Sequence, residues 1–290
     1  MPKEVVNVKY AALIFDIVES RHYQDRYDIQ KILMNAISYL NYLYRADIKK
    51  EVVSSAGDEF QGLFFDLQTA FLYVRKLQLL IYPVKIRCGI GFGEIKYDVE
   101  DWLSSAFDGE AYYLARDAIN GISKRKKSNA ILFNTRSNYD RYLNMLCLSC
   151  FEMKGRQSQV ARWLELLADI ILPIKQVDED VTFYNFILDI RQKIIMSERW
   201  NKVYGSPREI QPFNTNFQFL SEMKNEFVLI DDVGDKLFVE EFWKHGMSTV
   251  IAQAMDTSRQ NVDRYVSLGR IKESRTMDKA IYELLGEEIW

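Results

Sequence analysis

The chain has 290 residues, room for two compact units at about 100–200 residues each. With 48% apolar and 27% charged residues it is too apolar to stay disordered. Its 38 basic and 41 acidic side chains leave a net charge of −3; this excludes a global field towards nucleic acid or anionic lipid, and any such contact has to be local.

Val6 to Asp16 is crowded with aliphatic and aromatic residues and has no breaker, the pattern of a buried strand. From Arg26 to Tyr44 apolar residues recur at helical spacing: Ile29, Ile32, Leu33, Ala36, Ile37, Leu40 and Leu43. Glu51 to Ser55 and Phe60 to Phe65 are short runs joined by Ala56-Gly57-Asp58-Glu59, which reads as a β-hairpin. Asp66 is the expected N-cap of a helix to about Ile81, closed by Pro83. Val84 to Gly93 predicts a strand in which Gly89, Gly91 and Gly93 permit close backbone approach to a ligand, or mark a bend. A helix from about Gly109 to Ile122, a strand from Ala130 to Phe133 and a helix from Arg136 follow. The basic run Lys124 to Lys127 between them reads as a solvated turn or a phosphate contact.

The order β-α-β-β-α-β-α-β predicts an α+β, ferredoxin-like palm over residues 1–150, a mostly antiparallel sheet with helices on one face. Residues 151–235 form a helical connector, with helices over Trp163 to Ile171 and Val181 to Trp200. Gly205 to Phe219, with its prolines and asparagines, is a linker or a functional loop.

In residues 236–290, Val239 to His245 reads as a helix with Phe242 and Trp243 as anchors. Ser248 caps a second helix to Met255, Asp256-Thr257 turns, and Ser258 caps a third helix to Val266. The last pair has the form of a helix-turn-helix over a small core of Ile251, Ala252, Met255, Val262 and Val266. Arg259, Gln260, Asn261 and Arg264 then face outward as DNA-binding residues, since Arg pairs with guanine and Asn or Gln with adenine. Five basic residues against two acidic ones between Arg259 and Arg275 add modest local charge for phosphates. One such unit binds weakly, so a homodimer on paired half-sites is expected; a helical hairpin used only for packing is the alternative.

No apolar segment followed by small residues opens the chain, and the greasy stretch Leu166 to Ile174 is broken by Asp169, short of the ~18 residues of a membrane span. A cytoplasmic protein with no membrane contact is the expectation. Three cysteines fit a reducing compartment. Cys147 and Cys150 lack a second pair, and with only His22 and His245 they read as helix packing rather than a zinc site. Chemistry, if present, falls to carboxylates and a hard cation.

Asp16 ends the first strand, and Asp58 and Glu59 sit at the hairpin tip. With the first strand central and the hairpin beside it, these carboxylates converge, and their repulsion calls for a cation. Oxygen-only ligands suit Mg²⁺ or Mn²⁺ bridging phosphates. An arginine clamp on either aspartate would speak against such a centre. Taken alone, Asp58 is as readily a turn residue bonding its own backbone.

Phe15-Asp16-Ile17-Val18-x-Ser20, Gly57-Asp58, Arg87-x-Gly89-Ile90-Gly91-x-Gly93-Glu94 and Gly109-x-Ala111-x-x-x-Ala115 occur in the order and rough spacing of the class III nucleotidyl cyclase catalytic domain, which residues 8 to about 135 resemble. Ala56-Gly57-Asp58-Glu59-Phe60 also resembles the signature of diguanylate cyclase (GGDEF) domains, which share that palm. The whole chain is similar to the SatD-like proteins, a bacterial group with such an N-terminal segment and a C-terminal helix-turn-helix. The resemblance implies Asp16, Asp58 and the Ile17 backbone as metal ligands, with Glu59 beside them. It sets Val18, Glu19, Ser20 and Gly57 near a nucleoside triphosphate. Where cyclases carry a base-reading Lys this chain has Ser54, and where they carry a transition-state Asn and Arg it has Tyr113 and Asp117. Arg116 and Asn120, four apart on one helix face, supply similar catalytic groups in a shifted register. The expected function is a nucleotide- and Mg-binding domain coupled to a DNA-binding module, a nucleotide-responsive regulator. An active cyclase that releases pyrophosphate is the alternative.

Overall fold

A computed structural model describes residues 8–18, 26–95, 109–124, 130–177, 181–196, 215–227 and 238–290. Strands β1 (Tyr10–Ile17), β2 (Ile48–Ala56), β3 (Glu59–Phe64), β4 (Ile86–Gly93) and β5 (Ile131–Asn134) form one sheet in the order β2-β3-β1-β4-β5. β1 is central and antiparallel to β3 and β4, whereas β4 and β5 run parallel. The sheet helices are α1 (Arg26–Leu43), α2 (Leu67–Ile81), α3 (Glu110–Lys124) and α4 (Asp140–Lys154). Then come α5 (Gln159–Ile171), α6 (Val181–Met196), α7 (Phe217–Met223), α8 (Met247–Ala254), α9 (Arg259–Leu268) and α10 (Ile271–Leu285). Among the described residues no helix is long and apolar enough to cross a membrane.

Helices cover both faces of the sheet, not the single face expected from the element order. The cause lies in β1, which is apolar at almost every position and so has no solvent side. Leu13, Phe15 and Ile17 enter the main core with α1 and α2. Ala12 and Ile14 point the other way and join Leu63 beneath Ala111, Ala115 and Ile119 of α3.

The β4 glycines serve this second layer. A Cβ on Gly89 would collide with the Ala115 carbonyl and stand 2.7 Å from the Ile119 nitrogen; one on Gly91 would meet the backbone of Ala111 and Ala115. Small residues on the strand face small residues one turn apart on α3, so helix and sheet approach at backbone distance. Neither a bend nor a ligand accounts for Gly89 and Gly91.

Asp66 caps α2 as expected, its carboxylate accepting from the Thr69 N–H at 2.6 Å. The helix expected from Arg136 begins at Asp140, because Arg136 is left-handed (φ 63°) and Asp140 accepts from the Thr135 N–H and hydroxyl. The edge strand β5 is closed off by Asn144, whose side chain bonds both the N–H and the C=O of Phe133.

No helix forms over Val239 to His245. Phe242 and Trp243 are buried anchors as expected, but in irregular chain: the Phe242 N–H donates to Thr276 Oγ1 at 2.8 Å, and the Arg275 guanidinium lies over its ring. α8 starts from Gly246 (φ 92°) rather than Ser248, which is buried within it. Ser258 does cap α9, accepting from the Asn261 N–H at 3.2 Å. Phe217 starts α7 inside the stretch expected as loop; 205–214 lie outside the described residues, as do Arg125 to Lys127. Buried residues of all three expected segments belong to one continuous core. Cys147 and Cys150 lie fully inside it, and burial pushes both thiols up.

Candidate functional site

Register and parity build the site. Asp16 stands opposite Glu59 across β1–β3 and opposite Arg87 across β1–β4. Strand side chains alternate faces, so Asp16 shares a face with Ala12 and Ile14, Glu59 with Leu63, and Arg87 with Gly89. This is the α3 face, and α3 contributes Arg116.

Two acid–arginine pairs result. Arg87 Nε donates to Asp16 Oδ1 at 2.6 Å and its Nη2 to Oδ2 at 2.9 Å. Arg116 holds Glu59 in the same bidentate way, Nη2 to Oε1 at 2.7 Å and Nη1 to Oε2, and Ser55 Oγ donates to Oε1 at 2.9 Å. The acid side chains are 18% and 20% exposed and the arginine side chains 33% and 43%, so solvent reaches the arginines more readily than the acids. Burial raises the Asp16 carboxyl despite Arg87. At Glu59 the Arg116 hydrogen bonds prevail over burial and lower it. Asp58, at the hairpin tip, pushes both carboxyls upward. Three carboxylates and two guanidiniums leave the cluster one unit negative.

Asp16, Asp58, Glu59 and Arg116 are therefore brought to one end of the sheet. They do not form an open cradle for a divalent ion: both oxygens of Asp16 and both of Glu59 are held by arginine. Among the described residues no group of three or more His, Cys, Asp and Glu is placed to hold a metal. Ile17 is buried in β1, and the Val18 N–H is spent on Lys85 O at 2.9 Å. Gly57 (φ 62°) is in the turn with open space around it, its carbonyl accepting from Gln30. Asn120 is exposed on α3 one turn beyond Arg116. Glu19 and Ser20 lie outside the described residues. The residue missed as a site member is Arg87. Its signal was parity: two positions before Gly89, it shares the face that Asp16 shares with Ile14.

At the C-terminal end Arg259, Gln260, Asn261 and Arg264 are exposed on α9, whose Val262 and Val266 are buried. Arg259 pairs with Asp263 at 3.3 Å, and Asn261 Nδ2 donates to Thr257 Oγ1 at 3.3 Å. Arg275 does not belong to this surface. It is fully buried, donating to Leu172 O at 2.5 Å, so the exposed basic residues there number four, not five.

The fold defines an α+β protein with a five-stranded mixed sheet carrying an ionic cluster at one end. A family model matches residues 10–186, and the chain belongs to the SatD family. No curated protein matches it. Among solved structures it is similar to a bacterial light-regulated adenylyl cyclase, at 13% identity and a TM-score of 0.31 over 43% of each chain, less than half the length of that protein.

Proposed function

We propose that the chain binds a nucleoside triphosphate together with Mg²⁺ or Mn²⁺ at the β1–β3–β4 end of its sheet, as a nucleotide-responsive protein. The arginine clamp on Asp16 speaks against a bare-ion centre. The observation that carries the reading is that two acid–arginine pairs, Asp16 with Arg87 and Glu59 with Arg116, stand beside one carboxylate left over among the described residues, Asp58. A bare phosphate meets a cluster of net negative charge, and a bare cation has to displace Arg87 from Asp16. A metal-chelated phosphate meets both demands at once. Asp16 and Asp58 would hold the ion, and Arg87, released from Asp16, would fork onto phosphate oxygens, with Arg116 beside it on Glu59. The bound ion supplies positive charge to the triphosphate.

Cyclase turnover is the second reading, favoured by Arg116, whose guanidinium reaches the site and could stabilise developing phosphate charge. Ser54, Tyr113 and Asp117 favour binding without turnover. Incubation with each of the four triphosphates and Mn²⁺ separates the two. Saturable binding without pyrophosphate supports the first reading, and pyrophosphate release supports the second. No binding of any triphosphate overturns both.

We also propose that α9 contacts duplex DNA as a homodimer, supported by its exposed row of base-reading side chains. Arg259→Ala and Arg264→Ala should each weaken a gel shift with duplex DNA; retention unchanged by both contradicts this.

A further inference from the structure

The turn between α8 and α9 borders a half-open cavity of about 220 Å³ against α5. Val160, Leu164, Met255, Val262 and Tyr265 supply its apolar lining, and Asp256, Thr257 and Asn261 its polar lining. The volume falls below the roughly 300–1,000 Å³ of drug-sized pockets, so a compact molecule fits. The Asp256 carboxylate is exposed and has no ion pair among the described residues. Its nearest basic neighbour in sequence, Arg259, is committed to Asp263. The turn that presents it is fixed: Asp256 is left-handed (φ 49°), its N–H donates to Gln253 O, and the Thr257 N–H donates to Ala252 O at 2.9 Å.

Apolar side chains, an aromatic ring and an aspartate without an ion pair in one lining are complementary to a cation with an apolar body. We infer that this cavity binds a compact organic cation, its ammonium head on Asp256 and its aromatic or branched aliphatic body against Leu164, Val262 and Tyr265. Such a ligand touches α5, the turn and α9 together, and so bears on the orientation of α9. The site depends on nothing proposed for the sheet end or for DNA.

The test titrates the full chain, labelled at methionine methyls, with phenethylamine, and with 2-phenylethanol and 3-phenylpropionate as neutral and anionic controls. The Met255 resonance should shift saturably with the amine, roughly two- to five-fold more weakly with the alcohol, the effect of one exposed ion pair, and not with the acid. Asp256→Asn should abolish the preference for amine over alcohol while leaving alcohol binding intact. A Met255 signal unmoved by millimolar amine, equal affinity for amine and alcohol, or a preference that survives Asp256→Asn overturns the inference.

Discussion

Arg75 of α2 and Asp278 of α10, 203 positions apart, form an ion pair with both side chains shut off from solvent. Around it Arg75 reaches Asp169 at 2.6 Å, Lys154 reaches Asp278 at 2.6 Å and Glu165 at 3.3 Å, and Arg162 reaches Glu165 at 3.2 Å. With Lys76 and Arg275, five buried cations face three buried carboxylates and bind α2, α4, α5 and α10 into one body. Removing a carboxylate strands cations in the interior, the costly way to break a buried pair. Asp278→Asn should therefore destabilise the protein by about 3–5 kcal/mol in urea unfolding. A loss below about 1 kcal/mol contradicts the network's role.

The same carboxylates set the response to acid. Asp169, Glu165 and Asp278 are all held below their ordinary values; although burial opposes it, the surrounding cations prevail. A depressed carboxyl adds stability above its unfolded value and loses it as pH falls through the folded one. Melting temperature should fall progressively below about pH 5. Asp278→Asn should flatten that fall, having removed one of the three titrating groups.

Contact between α3 and β4 yields a contrast between glycines. Gly89→Ala drives a Cβ into the backbone of α3, whereas a Cβ on Gly121 has only Leu132 Cδ1 within 4 Å, at 3.8 Å. Gly89→Ala should cost about 1–3 kcal/mol or more. Gly121→Ala, inside a helix with room, should gain up to about 1 kcal/mol. Thermal unfolding of the two variants checks both signs.

Much of this architecture is legible in the sequence, and the parts that are not share a cause. Apolar spacing marked α1, Asp66 and Ser258 announced the starts of α2 and α9, and the placement of Asp16 beside Glu59 followed from a central first strand and its neighbouring hairpin. The second helical layer stayed hidden because an all-apolar strand does not say which helix takes which side. Arg87 and Glu59 were in plain view, yet the pairing of Arg87 with Asp16 depends on register across strands, and that of Glu59 with Arg116 on how α3 packs over the sheet. The loss of the expected helix at Val239 to His245 has a distant origin: Thr276 and Arg275 hold Phe242 from α10. Charged residues such as Arg75 and Asp169 read as ordinary helix charges until four helices bring them together.

Asp16 and Glu59 should titrate on opposite sides of their ordinary values, Asp16 above and Glu59 below. Folding favours the protonated form of Asp16, so this group withdraws stability as pH rises from its ordinary 3.8 towards the raised folded value. Glu59 contributes stability above its ordinary 4.5 that is lost as pH falls through its depressed value. Carboxyl-carbon NMR titration reads both, and Arg87→Met should raise Asp16 further while leaving Glu59 nearly in place.

Calorimetry of ATP and Mg²⁺, added separately and together to wild type and Arg87→Met, bears most directly on the partner exchange at Asp16. Wild type should bind either ligand alone at least tenfold more weakly than each binds when the other is present. Arg87→Met should bind Mg²⁺ alone more tightly and Mg-ATP more weakly. Independent binding of metal and nucleotide in wild type, or an Arg87→Met variant whose metal affinity is unchanged, would contradict the exchange and leave Arg87–Asp16 as a clasp between strands β4 and β1 and Arg116–Glu59 as a fastener of α3 to the sheet.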